Sequence, residues 1–219
     1  MNSMDLIGSA PDRGRLRIEG VVPGIVIDNQ DPQGVARVKV KVPSLSGDEI
    51  GQWARVAVLM AGDQRGTFFL PEVGDEVLLA FEHGDISRPY ILGALWNGQD
   101  KPPDTNSDGK NNLRFIKSRS GHILRFDDTD GSEKIEIIDK SGNNKIVIDT
   151  SAKKITIQSD QDIDIQAPNG KITLNAKNLE ITTSSDAKIT AQGGVAIDGS
   201  PGNTDIKGCL LYTSPSPRD

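Results

Sequence analysis

Ile135-Glu136-Ile137, Ile146-Val147-Ile148, Ile155-Thr156-Ile157 and Ile163-Asp164-Ile165 are four copies of one short pattern, two aliphatics with one residue between them. Residues two apart on an extended chain point to the same side, so each copy reads as a short strand with one buried face. The pattern continues outward as Leu124/Phe126 before it and Ile172/Leu174, Leu179/Ile181 and Val195/Ile197 after it, with a weaker Ile189/Ala191 in the last gap. Steps between first members are 11, 11, 9, 8, 9, 7 and 16 residues. Asp, Asn, Gly, Ser and Lys, which form turns, fill the intervals. Such recurrence is the signature of a β-solenoid or a strand array.

The period carries geometry. Eight or nine residues leave about five for a strand, roughly 17 Å long, and about three for a corner. That is one side of a prism. Either three successive sides of one chain close a turn, or three chains each supply one side. One chain alone makes only about three turns and leaves its strand edges exposed, whereas three chains close every layer at once. No aromatic residue occurs from Asp127 to Leu211, which suits a narrow interior filled by Ile, Leu and Val. A three-chain needle is therefore expected. Its interior is assigned to Ile135, Ile137, Ile146, Ile148, Ile155, Ile157, Ile163, Ile165, Ile172, Leu174, Leu179, Ile181, Val195 and Ile197.

The earlier part of the chain has a different grammar. Val35-Ala36-Arg37-Val38-Lys39-Val40-Lys41-Val42 alternates apolar and charged residues, as a half-buried strand does. Further strands are predicted over 20–27, 53–59, 66–69, 76–81 and 90–95, with turn chemistry such as Pro71-Glu72-Val73-Gly74-Asp75 between them. Five or six short strands in roughly 80 residues predict a small closed OB-like barrel. The expected organisation is an N-terminal segment 1–17, a barrel 18–98, a polar linker 99–112 and β-helical repeats 113–208. The fold class is thus all-β, a small OB-like barrel followed by a triple-stranded, homotrimeric β-helix needle.

Composition narrows the function. The 219 residues are 35% hydrophobic and 4% aromatic, with a net charge of -6. Residues 1–110 carry 11 basic and 16 acidic side chains, and residues 111–219 carry 14 and 15. Neither part offers the concentrated Lys and Arg that phosphate binding needs, so no nucleic-acid partner is expected. The single Cys209 excludes an internal disulfide. The N-terminal 20 residues hold no run resembling a signal peptide, so synthesis in the cytoplasm is expected.

Candidate chemical sites were weighed one by one. Asp127, Asp128, Asp130 and Glu133 resemble part of a calcium loop, but strands flank them and the ligand spacing is incomplete, so a solvated turn is expected. Asp160, Asp162 and Asp164 alternate with Ile163 and Ile165 and belong to an outer face, as solubilising charges. His83 and His122 have no nucleophile or ligand at a telling spacing. Gly193-Gly194 reads as a corner, and Trp53 and Trp96 as barrel packing. No catalytic residue, cofactor or metal is expected.

Two further stretches add a resemblance. Val73-Gly74-Asp75-Glu76-Val77-Leu78-Leu79-Ala80-Phe81-Glu82-His83-Gly84-Asp85, with Arg88-Pro89-Tyr90-Ile91-Leu92-Gly93-Ala94-Leu95-Trp96-Asn97-Gly98, resembles the barrel domain of central-spike proteins of contractile injection machines. These are the baseplate assembly protein V family of phage tails and the VgrG proteins of type VI secretion. Arg114-Phe115-Ile116-Lys117-Ser118-Arg119-Ser120-Gly121-His122, with Leu124-Arg125-Phe126-Asp127-Asp128-Thr129-Asp130-Gly131, resembles the family's entry into its spike.

The resemblance covers roughly residues 18–205. It implies a barrel seated on a ring-shaped hub, a three-chain needle that sheath contraction drives through a membrane, and a structural, non-enzymatic role. The implied partners are further copies of the chain, a separate hub or baseplate protein, a tip-capping protein or effector, and the target membrane. A β-helical tail fibre or polysaccharide-degrading, receptor-binding spike is the alternative, and the lack of aromatics counts against it.

Three departures stand out. The chain starts shortly before Gly20, which leaves a separate hub protein or a fragment as open readings. Residues 99–112 leave no room for an inserted lysozyme, and no histidine pair lies near the C-terminus to hold a tip iron. Residues 209–219 break the repeat pattern and read as a non-native tail.

Overall fold

A computed structural model of the chain describes residues 17–45, 51–199 and 201–205. The expected tail 209–219 and most of the segment 1–17 lie outside the described residues. The chain divides into two units, 1–162 and 163–219, so the division falls inside the repeat region.

The first unit begins with β1 (Val21–Asp28), β2 (Val38–Lys41) and β3 (Gln52–Val56). A minimal hairpin, β4 (Ala61–Gly62) and β5 (Arg65–Gly66), precedes β6 (Glu76–Phe81) and β7 (Pro89–Ala94). Five of these close into a barrel in the order β1-β2-β3-β7-β6. All neighbours are antiparallel except β3 and β7, which pair in parallel at Arg55–Tyr90 and Val56–Ile91. This is the five-stranded, OB-like barrel expected from the sequence.

Strand alternation builds its core. Val38 and Val40 on β2, Val77 and Leu79 on β6, Val26, Ala54 and Ile91 are buried, while Lys39 and Lys41 point outward. Gly24 on β1 allows a close crossing, because a Cβ there would lie 2.5 Å from Cδ1 of Leu79.

Three predicted strands come out shorter. β2 starts at Val38 because Asp31 takes the preceding backbone. Its carboxylate accepts the N–H groups of Gln33 (3.0 Å), Val35 (3.2 Å) and Arg37 (3.1 Å), and the Arg37 guanidinium at 2.8 Å. Ala36 is thereby held at φ 57, in the left-handed region, and the guanidinium lies 5.7 Å over the Trp53 ring. The strand predicted from Trp53 ends at Val56, and of 66–69 only Gly66 is in a strand. Trp96 is 71% exposed, so it is not a packing residue of the barrel.

This Asp31 knot is expected to make the barrel acid-sensitive. The Arg37 hydrogen bond, helped by the backbone donors, holds the Asp31 carboxyl well below its ordinary 3.8. A depressed folded-state pKa gives stability that is present above the unfolded value and is lost as the pH falls through it. Barrel melting, followed by Trp53 fluorescence, is expected to fall more steeply between about pH 5 and pH 2 in the unaltered chain than in Asp31→Asn. Identical slopes would mean that the knot contributes nothing.

The rest of the first unit is a five-stranded antiparallel meander in the order β12-β11-β10-β9-β8. Its strands are β8 (Leu113–Lys117), β9 (Ile123–Asp127), β10 (Lys134–Ile138), β11 (Lys145–Asp149) and β12 (Lys154–Gln158). One chain therefore layers five strands side by side through hairpins. The β8–β9 turn meets the barrel through an ion pair of 2.7 Å between Arg119 and Glu72. In the second unit no strand occurs among the described residues.

Candidate functional site

The register of the meander decides what it can do. Ile135 lies opposite Phe126 and Ile148, and Ile148 opposite Ile155. Ile137 lies opposite Leu124 and Ile146, and Ile146 opposite Ile157. Directly opposed residues share a face, so the pairs merge into two rows running across the sheet. One row is Ile116, Leu124, Ile137, Ile146 and Ile157; the other is Arg114, Phe126, Ile135, Ile148 and Ile155.

The opposite face is mixed, with Phe115, Ile123, Ile138 and Val147 beside its charged residues. Its edge row is Leu113, Asp127, Lys134, Asp149 and Lys154, alternating in sign after the first residue. In its middle row Arg125 faces Glu136 and pairs with it at 2.6 Å. Opposed charges of this kind support the chosen register and disfavour a slip, which would place like charges together.

Exposure is the reverse of what a lone sheet needs. Glu136 on the mixed face is 9% exposed, whereas Ile137 is 53% and Ile155 67% exposed. The assigned residues Ile135, Ile146, Ile148 and Ile157 are exposed with them. In the second unit Ile163, Ile165, Ile172, Leu174, Leu179, Ile181, Val195 and Ile197 are exposed too. The structure thus brings Ile135, Ile137, Ile146, Ile148, Ile155 and Ile157 onto one continuous apolar surface. A contiguous apolar face of this extent marks an association surface.

The hairpins carry a signal that was not singled out in the sequence. Asp127, Asp139 and Asp149 each accept the hydroxyl two residues on, from Thr129 (2.6 Å), Ser141 (2.7 Å) and Ser151 (2.9 Å). Asp-x-Ser/Thr is therefore the meander's turn motif. The hydroxyl of Thr129 holds the Asp127 carboxyl below its ordinary range, and that of Ser141 brings Asp139 down to about 2. At Asp149 the N–H of Ala152 is the main cause, with the Ser151 hydroxyl second.

The other singled-out residues are placed as follows. Asp127 is engaged with Thr129, Asp128 pairs with Arg114, and Glu133 accepts the Gly131 N–H at 3.2 Å. Asp160, Asp162 and Asp164 are exposed. His83 lies in a short turn at φ 52, and Nδ1 of His122 accepts the Lys140 N–H at 3.2 Å. No cluster of three metal-ligating side chains occurs among the described residues. None of their helices is long and apolar enough to cross a membrane.

The barrel has a second exposed apolar patch, on the excursion between β3 and β6. Leu59 is 96% exposed, and Met60, Phe68 and Phe69 accompany it. Phe69 also lines a groove with Val58, Leu92 and Gly93, where β3 has departed from β7.

The barrel order is that of an OB-like domain, and a patterned five-stranded meander follows it. Residues 22–96 match the family described as the type VI secretion system/phage-baseplate injector OB domain, and the chain is VgrG-like. It is 34% identical over 107 residues to the type VI secretion system spike protein VgrG3 of Vibrio cholerae serotype O1, a match covering 45% of this chain and 10% of that protein. The spike protein VgrG2a of Pseudomonas aeruginosa is 35% identical over 102 residues, covering 42% and 12%. A longer match reaches the actin cross-linking toxin VgrG1 of Vibrio cholerae, 26% identical over 172 residues, covering 75% of this chain and 14% of the toxin. In these matches the chain spans only a tenth to a seventh of its relatives' length.

Proposed function

We propose that the chain forms the barrel and needle of a membrane-puncturing spike, a parallel homotrimer at the tip of a contractile tail or secretion apparatus. The carrying observation is the meander's apolar face, uncovered in one chain, with most of the sheet's charges on the mixed face behind it. Three copies arranged about an axis would turn these faces inward and leave the charges in water. In that arrangement the assigned aliphatics from Ile135 to Ile197 line the interior, and residues 99–112 link barrel to needle.

The role is structural and non-enzymatic, with no nucleic-acid partner. Spike relatives support this, and the toxin relative makes a direct assay worthwhile: actin cross-linking or hydrolysis of peptidoglycan by the purified trimer would refute it. A tip-capping protein or effector and the target membrane are the partners at the far end.

At the near end the barrel docks on a hub, and Leu59, Met60, Phe68 and Phe69 offer the apolar contact. Solution mass of the full chain is expected to be three times that of one chain. A monomer with full β content ends the trimeric reading. Changing both Phe68 and Phe69 to Ser is expected to weaken capture of a ring-shaped hub protein at least ~10-fold without altering the mass. Undiminished capture would move the docking surface elsewhere on the barrel.

A further inference from the structure

We propose that the outer face of β2 and β3 is a second docking surface of the barrel, and that it takes an extended, acidic segment of a partner protein. Neither the trimer nor the apolar patch at Phe68 and Phe69 is needed for it.

Alternation sorts the two strands cleanly. Val38, Val40 and Ala54 fill the core, so Lys39, Lys41, Trp53 and Arg55 are turned to the outside. Register gathers them into one patch. Lys39 lies opposite Trp53, Lys41 opposite Ile25, and Arg55 opposite Tyr90 of β7. Lys41 and Arg55 are exposed and Lys39 is half-buried, and none of the three has an ion-pair partner among the described residues. The acids beside the patch are engaged elsewhere. Asp31 holds Arg37, Glu82 accepts the Tyr90 hydroxyl at 3.3 Å, Asp28 accepts the Gln30 N–H at 2.9 Å, and Glu76 accepts the Asn97 amide at 2.9 Å. Three free cations therefore cluster in a part of the chain, residues 1–110, that is acidic as a whole, with 11 basic against 16 acidic side chains.

Place in the fold is the second observation. A five-stranded OB-type barrel binds its ligands on the outer face of its second and third strands. Those strands are β2 and β3 here, with β7 beside them.

The aromatic rings decide the ligand. A base bound at such a face stacks on an open ring. Here each ring already carries a guanidinium, Arg37 at 5.7 Å over Trp53 and Arg55 at 5.7 Å over Tyr90. A guanidinium laid on a ring keeps its N–H edge free, and that planar fork matches a carboxylate. Arg37 uses its fork in this way on Asp31, through Nη2 at 2.8 Å and Nε at 3.2 Å. Arg55 repeats the arrangement, and no carboxylate of the described residues answers it.

Spacing gives the partner its form. Same-face residues of a strand recur every ~7 Å. Because β2 and β3 run antiparallel with Lys39 level with Trp53, Arg55, Lys39 and Lys41 occupy three successive levels of that repeat. An extended segment with carboxylates at alternate residues has the same ~7 Å repeat and meets all three cations at once.

The test uses the full chain and a fluorescein-labelled peptide of about twelve residues alternating Glu and Thr, read by anisotropy. This peptide should bind, a Gln–Thr counterpart should not, and affinity should fall as salt rises from about 0.05 to 0.3 M. Lys41→Glu together with Arg55→Glu should weaken the peptide at least ~10-fold, with barrel melting unchanged. If the reversal lowers the melting temperature, Lys41→Gln with Arg55→Gln repeats the comparison. Phe68→Ser with Phe69→Ser should keep full peptide affinity while losing hub capture, so the two docking surfaces fail separately. Loss of peptide affinity in that variant would merge them and refute a second surface. An unaltered chain that ignores the acidic peptide would overturn the proposal, as would undiminished affinity when Lys41 and Arg55 are replaced. An oligothymidylate of similar length that binds as tightly as the peptide would assign the face to a phosphate backbone and overturn it too.

Discussion

Ile137→Asp is expected to leave the chain monomeric at concentrations where the unaltered sequence is fully trimeric. Ile137 sits in mid-row, opposed by Leu124 on one side and Ile146 on the other. In the trimer three copies of it would approach the axis together. Truncating a buried Ile costs about 2–5 kcal/mol per chain, and burying a carboxylate costs several kcal/mol more. Over three chains the penalty is on the order of 15 kcal/mol, as large as the whole stability of a typical domain.

The defect should be pH-dependent in a definite sense. Burial and two like neighbours raise the new carboxyl's pKa in the trimer, so the trimer is the state that binds more protons. Its stability therefore recovers as the pH falls, and partial trimer should return near about pH 5. At that pH the turn carboxylates Asp127, Asp139 and Asp149, all lowered from 3.8, remain ionised. Lys154→Gln, on the mixed face of the same sheet, should leave the mass unchanged. Equal effects from the two substitutions would show that the faces are assigned the wrong way round.

Leu79→Ala is expected to destabilise the barrel by about 2–5 kcal/mol while leaving the trimer mass intact. The barrel's buried apolar core is small, Val26, Val38, Val40, Ala54, Val77, Leu79 and Ile91 among the described residues, and Leu79 is the largest aliphatic facing the glycine of β1. The site also makes a coupled test. Gly24→Ala alone should be harmful, because the added methyl collides with Leu79 at 2.5 Å. In the Leu79→Ala background that methyl enters the cavity, so the two losses should sum to more than the double variant's loss. Denaturant unfolding followed by Trp53 fluorescence measures all three. Strict additivity would mean that β1 and β6 do not touch there.

The sequence made the barrel legible where alternation was regular. Val38-Lys39-Val40-Lys41 sorted its side chains by period alone, and Glu76–Phe81 did the same. It misled at Val35-Ala36, where Asp31 captures the backbone that alternation assigned to a strand. It misled again at Phe68 and Phe69, assigned to a strand over 66–69 that ends at Gly66 and leaves both rings exposed.

In the repeats the aliphatic pairs located a shared face, and the meander shows Ile135, Ile137, Ile146, Ile148, Ile155 and Ile157 on it. Averaging the steps into one period hid the change from 11 residues to 8 near Ile155. The turn motif Asp-x-Ser/Thr was the available clue, and it escaped because Asp127 was weighed only as a ligand, while Asp139 and Asp149 were passed over among the turn-forming residues.

In the proposed trimer the hairpin-linked sheet would also set a rule of parity for how the needle can change length. Each added strand advances the stack by about 4.8 Å and sends the chain to the opposite corner. An odd insertion would deliver the following segment to the wrong edge of every side at once. A two-strand insertion, duplicating for example residues 128–149, restores the exit corner and lengthens the needle by roughly 10 Å. Growth in such a molecule proceeds in pairs, and its reach is a count of hairpins.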